Sequence, residues 1–165
     1  VWEYPVVAVY DADTLKFTGR YYILDKALHT RGLPWVAVDN DRGLLITLDH
    51  SKKANELIFY DIADNMKYVG SVKLSETVRS IQGAEMYGGM LYAATNDDTQ
   101  AVYKIDPKSG DVSKYFDRNL TKGSEGEGIT VLETADGAVF HAIDMGPLFI
   151  NAFIRHYAPV EDGGQ

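Results

Sequence analysis

Three residues able to hold a cation or move a proton recur at one spacing in this 165-residue sequence. His50, Asn96 and Asp144 each follow a glycine (Gly43, Gly89 and Gly137) by seven residues. An imidazole serves as ligand or proton shuttle, and an amide and a carboxylate supply oxygen donors. A second polar set, Arg31, Gln82 and Glu127, opens the segments that precede or contain those glycines. Carboxylate and amide oxygens suit a hard cation, Ca2+ first among them. A cation so held polarises a carbonyl and activates water. On this reading Glu127, Asn96 and Asp144 are the metal ligands, and His50 and Glu127 the catalytic residues. A plainer role competes with it, because Asn and Asp also cap turns by bonding their own backbone.

The spacing means something only if repeated elements carry it. Short runs rich in Val, Ile, Tyr and Phe occupy residues 5–10, 35–38, 44–48, 57–60, 90–94, 101–105, 138–142 and 153–157. Gly, Asp, Asn or Pro bounds each run, which predicts strands and turns. Gly43-Leu-Leu-Ile-Thr-Leu48 matches Gly89-Met-Leu-Tyr-Ala-Ala94 and Gly137-Ala-Val-Phe-His-Ala142, at intervals of 46 and 48 residues. A second series aligns Val9-Tyr10-Asp11 with Phe59-Tyr60-Asp61, Lys104-Ile105-Asp106 and His156-Tyr157-Ala158. A third aligns the segments opening at Gly32, Gln82 and Glu127. Four strands per unit of roughly 40–50 residues make a β-propeller blade. A sandwich or barrel with coincidental repeats is the alternative, and three series sharing one period favour the propeller.

The expected fold is therefore all-β, a β-propeller with about three and a half four-stranded blades. The blade fragments are 1–24, 33–74, 81–116 and 127–158. Propellers close with four to eight blades. The remaining blades are expected from a second copy related by two-fold symmetry or from a longer polypeptide, the chain opening at Val1. A short four-bladed closure is the third option.

In a propeller the innermost strand of each blade starts at the face where the second strand ends. Arg31, Gln82, Glu127, His50, Asn96 and Asp144 then surround one mouth of the pore. His29, in the connection between blades, and Trp35, at the start of an inner strand, complete a ligand rim with Arg31 and Gln82. Core packing is the competing place for Trp35. His141, between Phe140 and Ala142, reads as a satisfied core or edge histidine. Tyr10, Tyr60, Tyr103 and Tyr157 recur by blade and read as packing between blades.

The pattern resembles a known group. Gly32-Leu-Pro-Trp-Val-Ala-Val-Asp39, Ile81-Gln-Gly-Ala-Glu85, Gly89-Met-Leu-Tyr-Ala-Ala-Thr-Asn96, Val102-Tyr-Lys-Ile-Asp-Pro-Lys-Ser-Gly110 and Glu125-Gly-Glu-Gly-Ile-Thr-Val131 resemble blades of six-bladed propellers. The group includes SMP-30/gluconolactonase-like, NHL-like and phytase-like (esterase-like) proteins. The resemblance implies a divalent cation in the pore, held by Glu, Asn and Asp. Glu127-Gly128 resembles the first such element of the gluconolactonase-like members, and Asn96 and Asp144 sit at loop positions able to supply the others.

Composition removes other classes. Sixteen Lys and Arg stand against 24 Asp and Glu, a net charge of −8, so a nucleic-acid surface is not expected. No apolar run approaches the roughly 18–20 residues of a membrane helix. Zero Cys excludes disulfides, thiolate zinc sites and a Cys nucleophile. The triplet Asn119-Leu120-Thr121 tilts the compartment toward secreted or periplasmic. No nucleophile elbow, zincin helix or EF-hand loop is present. Two functions remain: a propeller that binds a partner or small molecule without catalysis, and a Ca-type lactonase or esterase-like hydrolase. The first is favoured, since many propellers bind without catalysis.

Overall fold

The computed structural model of the chain describes residues 4–50 and 55–158. Among them, thirteen strands form four antiparallel sheets in chain order. β1 (Val6–Tyr10) pairs with β2 (Phe17–Ile23). β3 (Ala37–Asp39), β4 (Leu44–Thr47), β5 (Glu56–Asp61) and β6 (Lys67–Lys73) form the second sheet. β7 (Ile81–Tyr87), β8 (Met90–Thr95), β9 (Ala101–Ile105) and β10 (Val112–Asp117) form the third. β11 (Glu125–Thr134), β12 (Gly137–Met145) and β13 (Ala152–Tyr157) form the fourth. Each strand pairs with its neighbour in sequence, which is the meander of a propeller blade.

Local chemistry explains the turns. Asp11, Asp61 and Asp106 each end a third strand or follow it directly. The Oδ1 of each accepts a backbone N–H two or three residues on, from Thr14 at 2.8 Å, Ala63 at 2.8 Å and Lys108 at 2.7 Å. Such an Asx turn closes a hairpin without help from the rest of the fold. Between first and second strands, Gly43, Gly89 and Gly137 adopt φ of 66°, 75° and 113°, a region where a Cβ is strained.

Packing explains the strands. In β4 and β5 adjacent residues point to opposite sides, and both sides are covered. Leu45, Ile58 and Tyr60 pack toward the first sheet with Leu24 and Val7. Ile46, Leu57 and Phe59 pack toward the third, against Ile81, Leu91, Ala93 and Ile105. A third core joins Tyr92, Ala94 and Val102 of the third sheet to Ile129 and Phe140 of the fourth. A strand buried on both faces reads as a continuous apolar run, and β5 carries Leu57-Ile-Phe-Tyr60. The outer strand β6 is mostly exposed and interleaves polar residues instead.

Four consecutive blades result, two of them incomplete, and they make less than a ring. The outward face of the first sheet exposes Val6, Tyr10, Phe17, Tyr21 and Ile23. That of the fourth exposes Leu132, Ile143 and Ile154. The tyrosine series follows position in this stack. Tyr60 is buried, and Tyr157 packs on Phe116 with ring centroids 4.9 Å apart. Tyr10 lies exposed on the first face against Phe17.

Ile46 has no solvent exposure and sits between the second and third sheets. Ile46→Ala is expected to lower unfolding free energy by about 2–5 kcal/mol, measured as a shift in urea midpoint at constant slope.

Candidate functional site

Three of the polar residues singled out in the sequence, Asn96, Glu127 and Asp144, meet at the seam between the third and fourth sheets. Arg118 is the first residue after β10. The corresponding residues after β2 and β6 are Leu24 and Leu74, both buried. Arg118 is buried as well, and its guanidinium is enclosed by oxygens. Nη1 donates to Asp144 Oδ1 at 2.5 Å, Nη2 to the Thr95 carbonyl at 2.7 Å and Nε to the Gln100 carbonyl at 2.7 Å. Asp144 Oδ2 accepts from Arg155 Nε at 2.9 Å. The side chains of Arg118 and Asp144 are 0% and 1% exposed.

Backbone geometry locks this arrangement. Gly126 in β11 pairs directly with Asp144 in β12. A Cβ at Gly126 would overlap the Arg118 guanidinium and crowd the Thr95 carbonyl, so the close approach requires glycine. The Gly126 N–H donates to Asn96 Oδ1 at 3.2 Å, and the Asn96 N–H donates to the Ser80 carbonyl at 2.8 Å. Asn96 therefore ties the end of β8 to the start of β11. Glu127 follows, half-buried. Burial pushes its carboxyl above the ordinary carboxylate value, Glu125 adds to the rise, and Arg118 opposes it. Burial and the nearby Asp144 carboxylate likewise raise the Tyr157 hydroxyl.

The tertiary structure thus brings Glu127, Asn96 and Asp144 into one neighbourhood, through the backbone of Gly126. Both Asp144 oxygens are engaged by arginines, and Asn96 Oδ1 is engaged by the backbone. Among the described residues, no group of three or more His, Asp or Glu side chains is gathered to hold a metal ion.

The shared spacing does not give shared positions, because the second strands differ in length. β4 ends at Thr47, β8 at Thr95, and β12 runs on to Met145. His50 therefore lies three residues past its strand, Asn96 directly after its own, and Asp144 inside. His50 belongs to the second blade, where its N–H donates to the Gly32 carbonyl at 3.3 Å.

The expected rim divides. Arg31 is exposed, and its N–H donates to Asp49 Oδ1 at 2.9 Å. Gln82 is half-buried at an irregularity of β7. His29 and Trp35 are not at the rim. Trp35 is buried in the core between the second and third sheets, and its carbonyl accepts from Thr47 Oγ1 at 2.6 Å. His29 is 1% exposed because its connection folds back over the second blade, where Nε2 bonds the Tyr60 hydroxyl at 2.8 Å. Burial holds its imidazole below the ordinary 6.5, against opposing pulls from Asp49 and Asp25. Burial pushes the Tyr60 phenol up to about 12.

Two features escaped the sequence reading. One is Arg118, whose signal was an arginine at a position held by leucine in the preceding blades. The other is the loop from β12 to β13. Leu148, Phe149 and Ile150 are 83%, 60% and 73% exposed at its tip. Gly146 N–H to the Asn151 carbonyl, 2.7 Å, closes its base. The antiparallel order puts this loop at the same end as Arg31, Asn96 and Glu127. Its signal was an apolar triplet between turn residues.

No protein-family model matches the chain, and no curated protein sequence matches it. Solved structures do. Hydrazine synthase of Kuenenia stuttgartiensis superposes with a TM-score of 0.52 at 18% identity, over 92% of this chain and 39% of that one. The RRP9 WD40 repeats give 0.52 at 10% identity, over 91% and 44%. The extracellular domain of a one-component system of B. thetaiotaomicron gives 0.52 at 10%, over 95% and 21%. The likeness is one of fold: this chain is part of a β-propeller. It spans less than half the length of each of these proteins.

Removing one partner of a buried ion pair leaves the other charge uncompensated. Asp144→Ala is expected to cost about 3–5 kcal/mol in urea unfolding, and Arg118→Leu with Asp144→Leu clearly less than the two single changes together. Burial lowers the folded-state pKa of His29, whereas the unfolded chain takes up a proton below about pH 6.5. Its contribution is thus complete above that pH and is lost as pH falls further. Thermal melts between pH 7.5 and 5.5 are expected to show a decline that His29→Gln reduces.

Proposed function

We propose that this propeller is a non-catalytic binding scaffold whose contact surface is the face bearing the Leu148-Phe149-Ile150 loop. One observation carries the reading. Three consecutive large apolar side chains project into solvent at the pore-mouth end, while nearby polar groups are engaged in holding blades together. Exposed apolar clusters on a rigid frame mark contact sites, and truncating such anchors removes most of the binding energy. The bonds at Asp144 and Asn96 support scaffold over hydrolase, since the donors a cation needs already have partners. The net charge of −8 disfavours a nucleic-acid partner.

The open faces of the first and fourth sheets take further blades, from a second copy related by two-fold symmetry or from further chain. Light scattering discriminates the two: twice the monomer mass supports the second copy, and monomer mass supports further chain.

The functional test compares two changes. Leu148→Ser, Phe149→Ser and Ile150→Ser together are expected to leave Tm unchanged and abolish capture of proteins or ligands that the unaltered chain retains. Glu127→Gln is expected to leave capture intact and, by removing a partly buried charge, to raise Tm at pH 7. Titration with Ca2+ to about 10 mM, beyond the weakest typical extracellular sites, is expected to leave Tm unchanged, with no lactone or aryl-ester hydrolysis above background. A Ca2+-dependent rise in Tm that Glu127→Gln removes, together with such hydrolysis, would replace the scaffold with the lactonase or esterase-like enzyme.

A further inference from the structure

We propose that His141 and His156 form a two-imidazole site for a borderline divalent cation of the Zn2+, Ni2+ or Cu2+ class. The inference stands on the outward face of the fourth sheet, away from the Arg118 seam and from the Leu148-Phe149-Ile150 loop, and concerns that face while no further blade covers it. His141 in β12 and His156 in β13 are directly opposed cross-strand partners. Antiparallel pairing therefore puts both side chains on one face. The two Nδ1 atoms converge to 2.6 Å, and the ring centroids lie 4.6 Å apart with planes at 81°.

The hydrogen-bond inventory of an imidazole makes this contact informative. A neutral ring carries one N–H and one lone pair. Two rings in the same Nδ1 lone-pair form would repel, so one ring donates from Nδ1 to the other. The far nitrogen of His141, Nε2, is buried and makes no hydrogen bond. No group on that side fixes its tautomer, and Nδ1 alone carries the polar interaction of the ring. A divalent cation takes the place of the bridging proton between the two Nδ1 atoms. With His156 as the donor, the bridging proton relocates to Nε2 of that exposed ring, His141 keeping its proton on Nε2 throughout, and both Nδ1 atoms then offer lone pairs to the ion.

The required movement is small. Metal–imidazole bonds of about 2.0–2.1 Å in tetrahedral geometry put two ligand nitrogens roughly 3.3 Å apart. Side-chain rotation on a rigid two-strand frame supplies the difference from 2.6 Å. Imidazole ligands select zinc, nickel and copper over Ca2+ or Mg2+, which take oxygens. Ile143 and Ile154, the next cross-strand pair on this face, are exposed. In the chain by itself the remaining coordination positions therefore open to water, and a blade seated on this face would close them.

The test is a thermal melt of the intact chain with ZnCl2 and with CaCl2, beside His141→Phe and His156→Phe. Zn2+ at about five times its Kd is expected to raise Tm by roughly 2–4 °C, Ca2+ to have no effect, and each variant to lose the Zn2+ response. Substoichiometric Cu2+ is expected to broaden the imidazole NMR signals of His141 and His156 while that of buried His29 stays sharp, a readout independent of whether the variants fold. A Zn2+ response that survives both substitutions, its absence in the unaltered chain, or equal broadening of His29 overturns the site.

Discussion

A four-stranded sheet with apolar side chains on both faces needs two neighbours, and this requirement organises the molecule. Leu45 and Ile46 are consecutive yet belong to different cores. Neither face of the second blade can be given to water without exposing residues that are now 0–6% accessible. Burying apolar area contributes about 25 cal/mol per Å2, so face-to-face stacking is the dominant favourable term and sheet order follows chain order. The same requirement explains the ends. The first and fourth sheets each have one covered face and one open, and their open faces carry the same kinds of residue as the buried seams.

The seam between the third and fourth blades departs from this scheme in one respect. Where leucine seals the earlier seams, Arg118 reaches across to Asp144 and to carbonyls of the third blade. Desolvating two charges is costly, and the geometry offsets it only because nearly every donor and acceptor is satisfied. Gly126 has no side chain because the guanidinium lies against its backbone. The carboxylate that spacing marked as a metal ligand is already committed to two arginines.

The mouth face is where blades differ without disturbing the stack. Strands and Asx turns hold the frame, and the loops between second and third strands vary freely in length and polarity. In the fourth blade that freedom produces an exposed apolar tip over a closed base. In the second, the connection ahead of the inner strand folds inward and buries His29 against Tyr60. Position on a propeller face therefore does not by itself make a residue accessible.

Strands, turns and blade period were legible in the sequence because their causes are local. Alternation of two, glycine where φ is positive, and an Asp that bonds its own turn all act within a few residues. The repeat also put Glu127, Asn96 and Asp144 at one end of the blades, since strand order and direction follow from those local elements. What those side chains do was decided elsewhere. Arg118 lies 26 residues from Asp144, and only stacking of two sheets brings them together. The seven-residue spacing misled for His50 because strand length beyond the hairpin is set by packing partners rather than by the turn glycine. The burial of His29 and the contact of His141 with His156 likewise depend on which chains cross or lie opposite, a property of the folded whole.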